Sequence, residues 1–177
     1  MPTKTDQYKV HVASKDEFKQ ALRIRVRVFV DIQKFPLNEE VDELDKTATH
    51  LVIIDTHREV ASQVIGTLRI LKSPEAAKFG RVVILPEYQG QGVGKLLMQG
   101  AEAYVAESPE YKEYEYTKLG SQWDKQGFYV SCGYEAKGDI YDDTGCPHIW
   151  MYKPIVRNHL CHFGYYVHVR KTLDKVL

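Results

Sequence analysis

Apolar and polar residues alternate with period two over residues 8–13, YKVHVA, and predict a first strand. Ser14 and Glu17 then form an S-x-x-E capping box, which predicts a helix running to about residue 31. Phe18, Ala21, Leu22 and Val26 lie near helical spacing, although residues 23–30, RIRVRVFV, also alternate with the period of a strand. The cap and the preceding strand favour the helix. Residues 34–49 are acidic and turn-rich and read as a loop with one short helix. Strands follow at 50–55 and 63–72, with a polar turn at 56–59 between them, and at 80–85. Val93, Leu96, Leu97, Gly100, Ala101 and Tyr104 share one face of a helix over 93–107. A strand at 114–119, a short helix at 124–131 stopped by Gly133, and strands at 134–141 and 149–152 joined through 142–145 complete the pattern. The order β-α-loop-β-β-β-α-β-α-β-β predicts one mixed α/β domain. Beyond Pro154, residues 165–170 alternate once more and suit a further strand, either covering a sheet edge or pairing across a homodimer interface.

Composition narrows the classes. The chain has 177 residues, 44% hydrophobic and 27% charged, the profile of an ordinary globular domain. Its 24 basic and 24 acidic residues cancel, without the basic excess of a nucleic-acid binder. Three cysteines, Cys132, Cys146 and Cys161, match no zinc spacing and read as reduced thiols. There is no apolar leader at the N-terminus and no apolar run of membrane-spanning length, so the expectation is a cytoplasmic protein, or a nuclear one by diffusion, without a membrane or nucleic-acid partner.

The most informative stretch is residues 80–97, GRVVILPEYQGQGVGKLL, where a strand runs into a glycine-rich turn that opens a helix. Free N–H groups and partial positive charge at a helix start, with no Cβ in the way, suit a pyrophosphate. The spacing is neither a Walker A loop nor a Rossmann fingerprint, because Leu96 follows Lys95 and the glycines at 90, 92 and 94 are two apart. Taken alone, the glycines also suit a plain loop with close helix–strand contact.

Gln89-x-x-Gly92-x-Gly94 resembles the Q/R-x-x-G-x-G/A signature of the GNAT acyl-CoA N-acyltransferases. A second stretch, with Gln122, Phe128, Tyr129, Gly133 and Tyr134, is similar to that family's N/Q-x-x-A-x-x-F-Y-x-x-x-G-F helix, with Lys125 in place of the small residue. Arg27-Val28-Phe29-Val30-Asp31-Ile32-Gln33, then Pro36, Glu40, Asp42, Asp45, Ala48 and His50, resemble the ElaA-like branch, as does the stretch from Gly138 through residues 145–151. Ile32 stands where that branch usually carries Glu. The resemblance covers about residues 8–153. It implies an N-acetyltransferase domain over 1–153 with a C-terminal extension over 154–177. It implies a mixed, mostly antiparallel sheet splayed at 80–85, and acetyl-CoA or coenzyme A as cofactor. On this resemblance Val82, Val83 and Ile84 meet the pantetheine and thioester. Gly90, Gln91, Gly92, Val93, Gly94 and Lys95 hold the pyrophosphate, and Gln89, Gln122 and Phe128 complete the cofactor site.

Acyl transfer from a thioester to an amine needs a neutral amine, donors for an oxyanion and a proton for the leaving thiolate. A strand N–H near Val83 or Ile84 suits the oxyanion. Tyr129, a phenol with a pKa of about 10, is the candidate proton donor. His148 is the candidate base, and His50 is its rival. Glu40, Asp42, Asp142 and Asp143 suit a cationic acceptor or a water chain. Arg23, Arg25 and Arg27 read as surface charge or a phosphate contact. The expected reaction is direct attack of a primary amine, with a small-molecule acceptor favoured over a protein lysine or N-terminus. A non-catalytic acyl-CoA-binding module is the alternative outside catalysis, and a nucleotide hydrolase is disfavoured for want of a P-loop.

Overall fold

The computed structural model describes residues 7–157. Strand β1 (Tyr8–Val12) leads into helix α1 (Lys15–Arg25), whose capping box forms as expected: the Glu17 N–H donates to Ser14 Oγ at 3.3 Å, and the Ser14 N–H donates to Glu17 Oε2 at 2.9 Å. The helix continues over Val26–Ile32, but as a π-helix, with Gln33 N–H reaching the Val28 carbonyl at 3.0 Å. Ala21, Ile24, Arg25 and Val28 are buried at helical spacing, which settles the ambiguous alternating stretch as helix. The acidic stretch holds two short helices where one was expected: α2 (Leu37–Glu40) and a 3₁₀ turn at Glu43–Lys46, opened by Asp42 capping the Leu44 N–H.

Strands β2 (Thr49–Asp55), β3 (Val64–Lys72), β4 (Ala77–Ile84), β5 (Tyr116–Gln122), β6 (Glu135–Asp143) and β7 (Cys146–Pro154) complete one seven-stranded sheet in the order β1-β2-β3-β4-β5-β7-β6. All neighbours are antiparallel except β4 and β5. β4 begins three residues before its expected start, and β7 is longer than expected at both ends. Helix α1 packs on β2 and β3, and helix α3 (Val93–Glu107) packs across β1 to β4. Strands buried on both faces lose the polar alternation, and residues 51–54 and 64–65 accordingly read as continuous apolar runs. The short helix α4 (Gln126–Ser131) follows a 3₁₀ turn at Trp123–Lys125. At the end of β7, Ile155 N–H bonds the Glu115 carbonyl, and Arg157 Nη2 bonds the carbonyls of Tyr111 and Tyr114. The strand expected at 165–170 lies outside the described residues.

Two features of β4 shape the functional region. It pairs with β5 only over Ala77–Thr117, Lys78–Lys118 and Phe79–Leu119, after which the two strands part. It also carries a bulge: two residues, Arg81 and Val82, oppose the single Leu68 of β3, and Arg81 takes φ 53°. That conformation is costly for a residue with a Cβ, so its surroundings must hold it.

They do so with buried charge. Arg25 Nε donates to Glu40, and its Nη1 donates to Asp45 at 2.8 Å. Arg69 forms a fork on Asp42 at 2.7 and 2.8 Å and reaches Asp45 at 2.9 Å. Arg81 lies 3.0 Å from the Glu40 carboxylate and donates to the Glu39 and Glu40 carbonyls. This corrects the reading of Arg25 as surface charge or a phosphate contact, because it is 1% exposed and structural. It equally corrects Glu40 and Asp42 as docking charges for a cationic acceptor. Three guanidinium groups already neutralise them.

Burial opposes ionisation of Asp45, but Arg25 and Arg69 outweigh it and hold the carboxyl at about 2, below the ordinary 3.8 of an aspartate. A depressed carboxylate pKa contributes stability that is fully present above the unfolded value and lost as pH falls through the folded one. In Glu40 burial wins, and its carboxyl is pushed up. Urea unfolding from pH 5 down to pH 2 is therefore expected to show a loss of about 2 kcal/mol in the wild type that Asp45→Asn lacks. Parallel curves for the two proteins would show that the pair does not titrate in this way.

Candidate active site

Where β4 and β5 part they leave a cleft of about 1070 Å³. At one end lies the glycine turn. Gly90 and Gly92 take φ 72° and 83°, the left-handed region in which glycine alone is unstrained, and a Cβ on either would meet nothing within 4 Å. Backbone conformation, not crowding, therefore fixes those two glycines. Gly94 is there for space: a Cβ would lie 3.1 Å from the Phe128 ring. The first bond of α3 runs from the Leu96 N–H to the Gly92 carbonyl at 3.2 Å, so the amides of Val93, Gly94 and Lys95 precede the ladder. Lys95 is exposed beside them and has no ion pair among the described residues. This donor set fits the phosphates of a nucleotide-bearing coenzyme.

The edge of β4 forms the middle of the cleft. Leu85 N–H donates to Ile65 of β3 at 2.9 Å, and Val83 pairs with Thr67. Strand alternation then turns the groups of Ile84 toward the cleft, where the Gln89 side chain donates to the Ile84 carbonyl at 2.9 Å. Helix α4 supplies Phe128 and Tyr129, whose rings meet edge to face at 5.0 Å. Tyr129 is half-buried against the core, and its hydroxyl has no hydrogen-bond partner among the described residues. Burial first, and neighbouring Cys132 second, raise its phenol above the usual range. It stays protonated and is a donor.

His148 lies on β7 opposite Gln122 of β5 and is 9% exposed at the cleft wall. Its Nδ1 sits 2.8 Å from the Cys146 carbonyl. A neutral ring must donate there, which leaves the lone pair on Nε2. His50 is displaced from the problem: its Nε2 lies 2.9 Å from the Asp45 carbonyl, its ring packs on Phe18 at 4.3 Å, and it does not line the cleft.

Among the sequence-derived candidates, Val82, Val83, Ile84, Gln89, Gly90, Gly92, Gly94, Lys95, Gln122, Phe128, Tyr129 and His148 all line this cleft. The side chains of Gln91 and Val93 do not: Gln91 donates to the Glu87 carbonyl at 2.8 Å, and Val93 is core. Ile32 is exposed and also lies off the cleft, whereas the adjacent Gln33 lines it and accepts from Gln122 at 3.2 Å. Sequence reasoning missed Lys78 and the stacked pair Tyr141–Trp150, 5.0 Å apart. The registers of β4 with β3 and β5 place Lys78, and the β6–β7 register, which a bulge shifts between Lys137 and Tyr141, places the aromatic pair.

A sheet parted at one parallel pair, with a glycine-bounded helix start at the opening, defines an acyltransferase of the GNAT type. The model of the acetyltransferase (GNAT) domain matches residues 13–155, and the chain belongs to that family. It is 31% identical to the uncharacterized protein YyaT of Bacillus subtilis over 147 residues, 83% of this chain and 95% of that one. The structure of Escherichia coli ElaA superposes with TM-score 0.66 at 27% identity, covering 83% of this chain and 98% of ElaA. An acyl-CoA N-acyltransferase from Pseudomonas aeruginosa gives 0.67 at 26%, covering 82% and 97%. No helix among the described residues is long and apolar enough to cross a membrane.

The raised phenol has a direct readout. Alkaline difference absorbance of the wild type against Tyr129→Phe should show no phenolate from Tyr129 up to pH 11. A step near pH 10 that vanishes in the variant would mean an ordinary, solvated tyrosine.

Proposed function

We propose that this GNAT acetyltransferase moves the acetyl group of acetyl-CoA to a primary amine by direct attack. The observation that carries the reading is the convergence on one cleft of the glycine turn, the unpaired β4 edge and the Tyr129 hydroxyl. The amides at the start of α3, with Lys95, bind the pyrophosphate. The amide of Ile84, or of Val82 at the bulge, stabilises the oxyanion of the tetrahedral intermediate, a contribution of roughly 3–4 kcal/mol for a preorganised donor. Tyr129 donates a hydrogen bond to the departing thiolate, and its raised pKa keeps the phenol protonated for that role. His148 Nε2 takes the proton of the attacking amine. The acyl-CoA named for the Pseudomonas aeruginosa relative supports the donor.

A small acceptor is favoured over a peptide. Thr144, in the β6–β7 turn, donates to Glu39 of α2, and both residues line the cleft. This bond straps the acceptor end, and an extended polypeptide would have to break it.

Acetyl-CoA at 100 times its dissociation constant should stabilise the protein by about 2.7 kcal/mol, with coenzyme A acting likewise and ATP not. No response to acetyl-CoA would remove the reading. Gly92→Ala must place a Cβ at φ 83°, and the strain of about 1–2 kcal/mol should weaken acetyl-CoA binding roughly tenfold. In an amine panel followed by thiol release, Tyr129→Phe should lower kcat about 100-fold with the acetyl-CoA affinity kept. Unchanged turnover would take the proton-donor role away from Tyr129.

A further inference from the structure

On one face of the sheet, the register sets Arg69 beside Gly80, Leu71 beside Lys78, and Lys78 beside Lys118. The other cations on and over this face are each neutralised from within. Arg25 has Glu40 and Asp45, Arg69 has Asp42 and Asp45, Arg81 has Glu40 and Asp42, and Lys118 has Glu75. Lys78 is different. It is half-buried, lines the cleft, and has neither an ion pair nor a hydrogen bond among the described residues. Its ammonium has only the Trp150 ring, 5.1 Å away. Burial, then Lys118 and Arg69, press its pKa down, and Asp143 acts on it through space without contact.

A half-buried cation without a paired counter-ion costs free energy that a bound anion would relieve. We propose that Lys78 forms an anion subsite for the acceptor, so that the amine acetylated here carries a carboxylate. The inference rests on the acetyltransferase reading above. Geometry also sets the spacing. Lys78 and Val82 are separated by about 13 Å of strand at ~3.3 Å per residue, of which the lysine stem spans part. The carboxylate must therefore stand several bonds from the reacting nitrogen, as in an ω-amino acid, and not adjacent to it. The aromatic wall of Tyr141 and Trp150 suits the methylene chain between the two ends.

Three acceptors of equal length separate the possibilities: 6-aminohexanoate, 6-amino-1-hexanol and 1,6-diaminohexane, each compared by kcat/KM at saturating acetyl-CoA. The wild type should prefer the acid by about tenfold or more, the size expected for a hydrogen-bonded charge pair. Lys78→Gln should abolish the preference, and Lys78→Arg should restore part of it. The acetyl-CoA thermal shift of each variant, equal to that of the wild type, shows that the fold and the donor site are intact. Equal use of the alcohol or the diamine by the wild type, or an equal loss on all three in Lys78→Gln, would overturn the proposal. Should none of the three turn over, 6-acetamidohexanoate added with coenzyme A supplies the reading: a thermal shift present in the wild type and absent in Lys78→Gln supports the subsite, and any other pattern overturns it. A wild type that ignores acetyl-CoA altogether would instead bring down the acetyltransferase reading itself.

Discussion

The molecule depends on a failure of pairing. β4 and β5 share three residue pairs and then separate, although each runs on for several residues more. A sheet edge inside a domain exposes backbone donors and acceptors that must be satisfied or used. Here they face the cleft. The bulge at Arg81 and Val82 belongs to the same departure, since an extra residue bends and twists the strand away from its neighbour. On its other side β4 resumes pairing with β3 beyond the bulge, and β5 pairs with β7 along its whole length, so the opening is confined to one seam of the sheet.

Holding that seam open falls to a buried charge network. Arg81, strained at φ 53°, is tied to Glu40, and Glu40 is in turn tied to Arg25 of α1. Arg69 joins through Asp42 and Asp45. Three arginines and three carboxylates thus connect helix, acidic loop and two strands at a place where apolar packing alone would leave the bulge free to relax. Burying such groups is expensive, and removing one partner from a pair of this kind costs about 3–5 kcal/mol because the other charge stays behind. The network is therefore better understood as fixing one geometry than as adding stability.

The two walls of the cleft do different work. Toward α3 the groups are backbone amides, Lys95 and the Phe128–Tyr129 pair, rigid and suited to a long, partly anionic coenzyme. Toward the strap between Thr144 and Glu39 the surface is aromatic, and the cations over it are paired except for Lys78. This asymmetry follows from topology. The first wall comes mainly from one contiguous strand–turn–helix segment, joined by α4, whereas the second is assembled from β3, β4, β6, β7 and the acidic loop.

That difference also divides what could be read from the chain. The amino-acid order alone determined the strand–turn–helix unit and the start of α1, because φ above zero at Gly90 and Gly92 and the Ser14–Glu17 cap are local demands met by particular residue types. Most strands were legible too, their ends shifting by a few residues where pairing partners extended them. The charges were not. Arg25 looked like one of three surface arginines, and the acidic loop looked like a lure for amines, because sequence spacing does not show which opposite charges will be buried together. His50 and His148 were indistinguishable until β7 was set against β5. Only the tertiary structure decided these points, since the partners are far apart in the chain and the energy of a charge depends on what surrounds it.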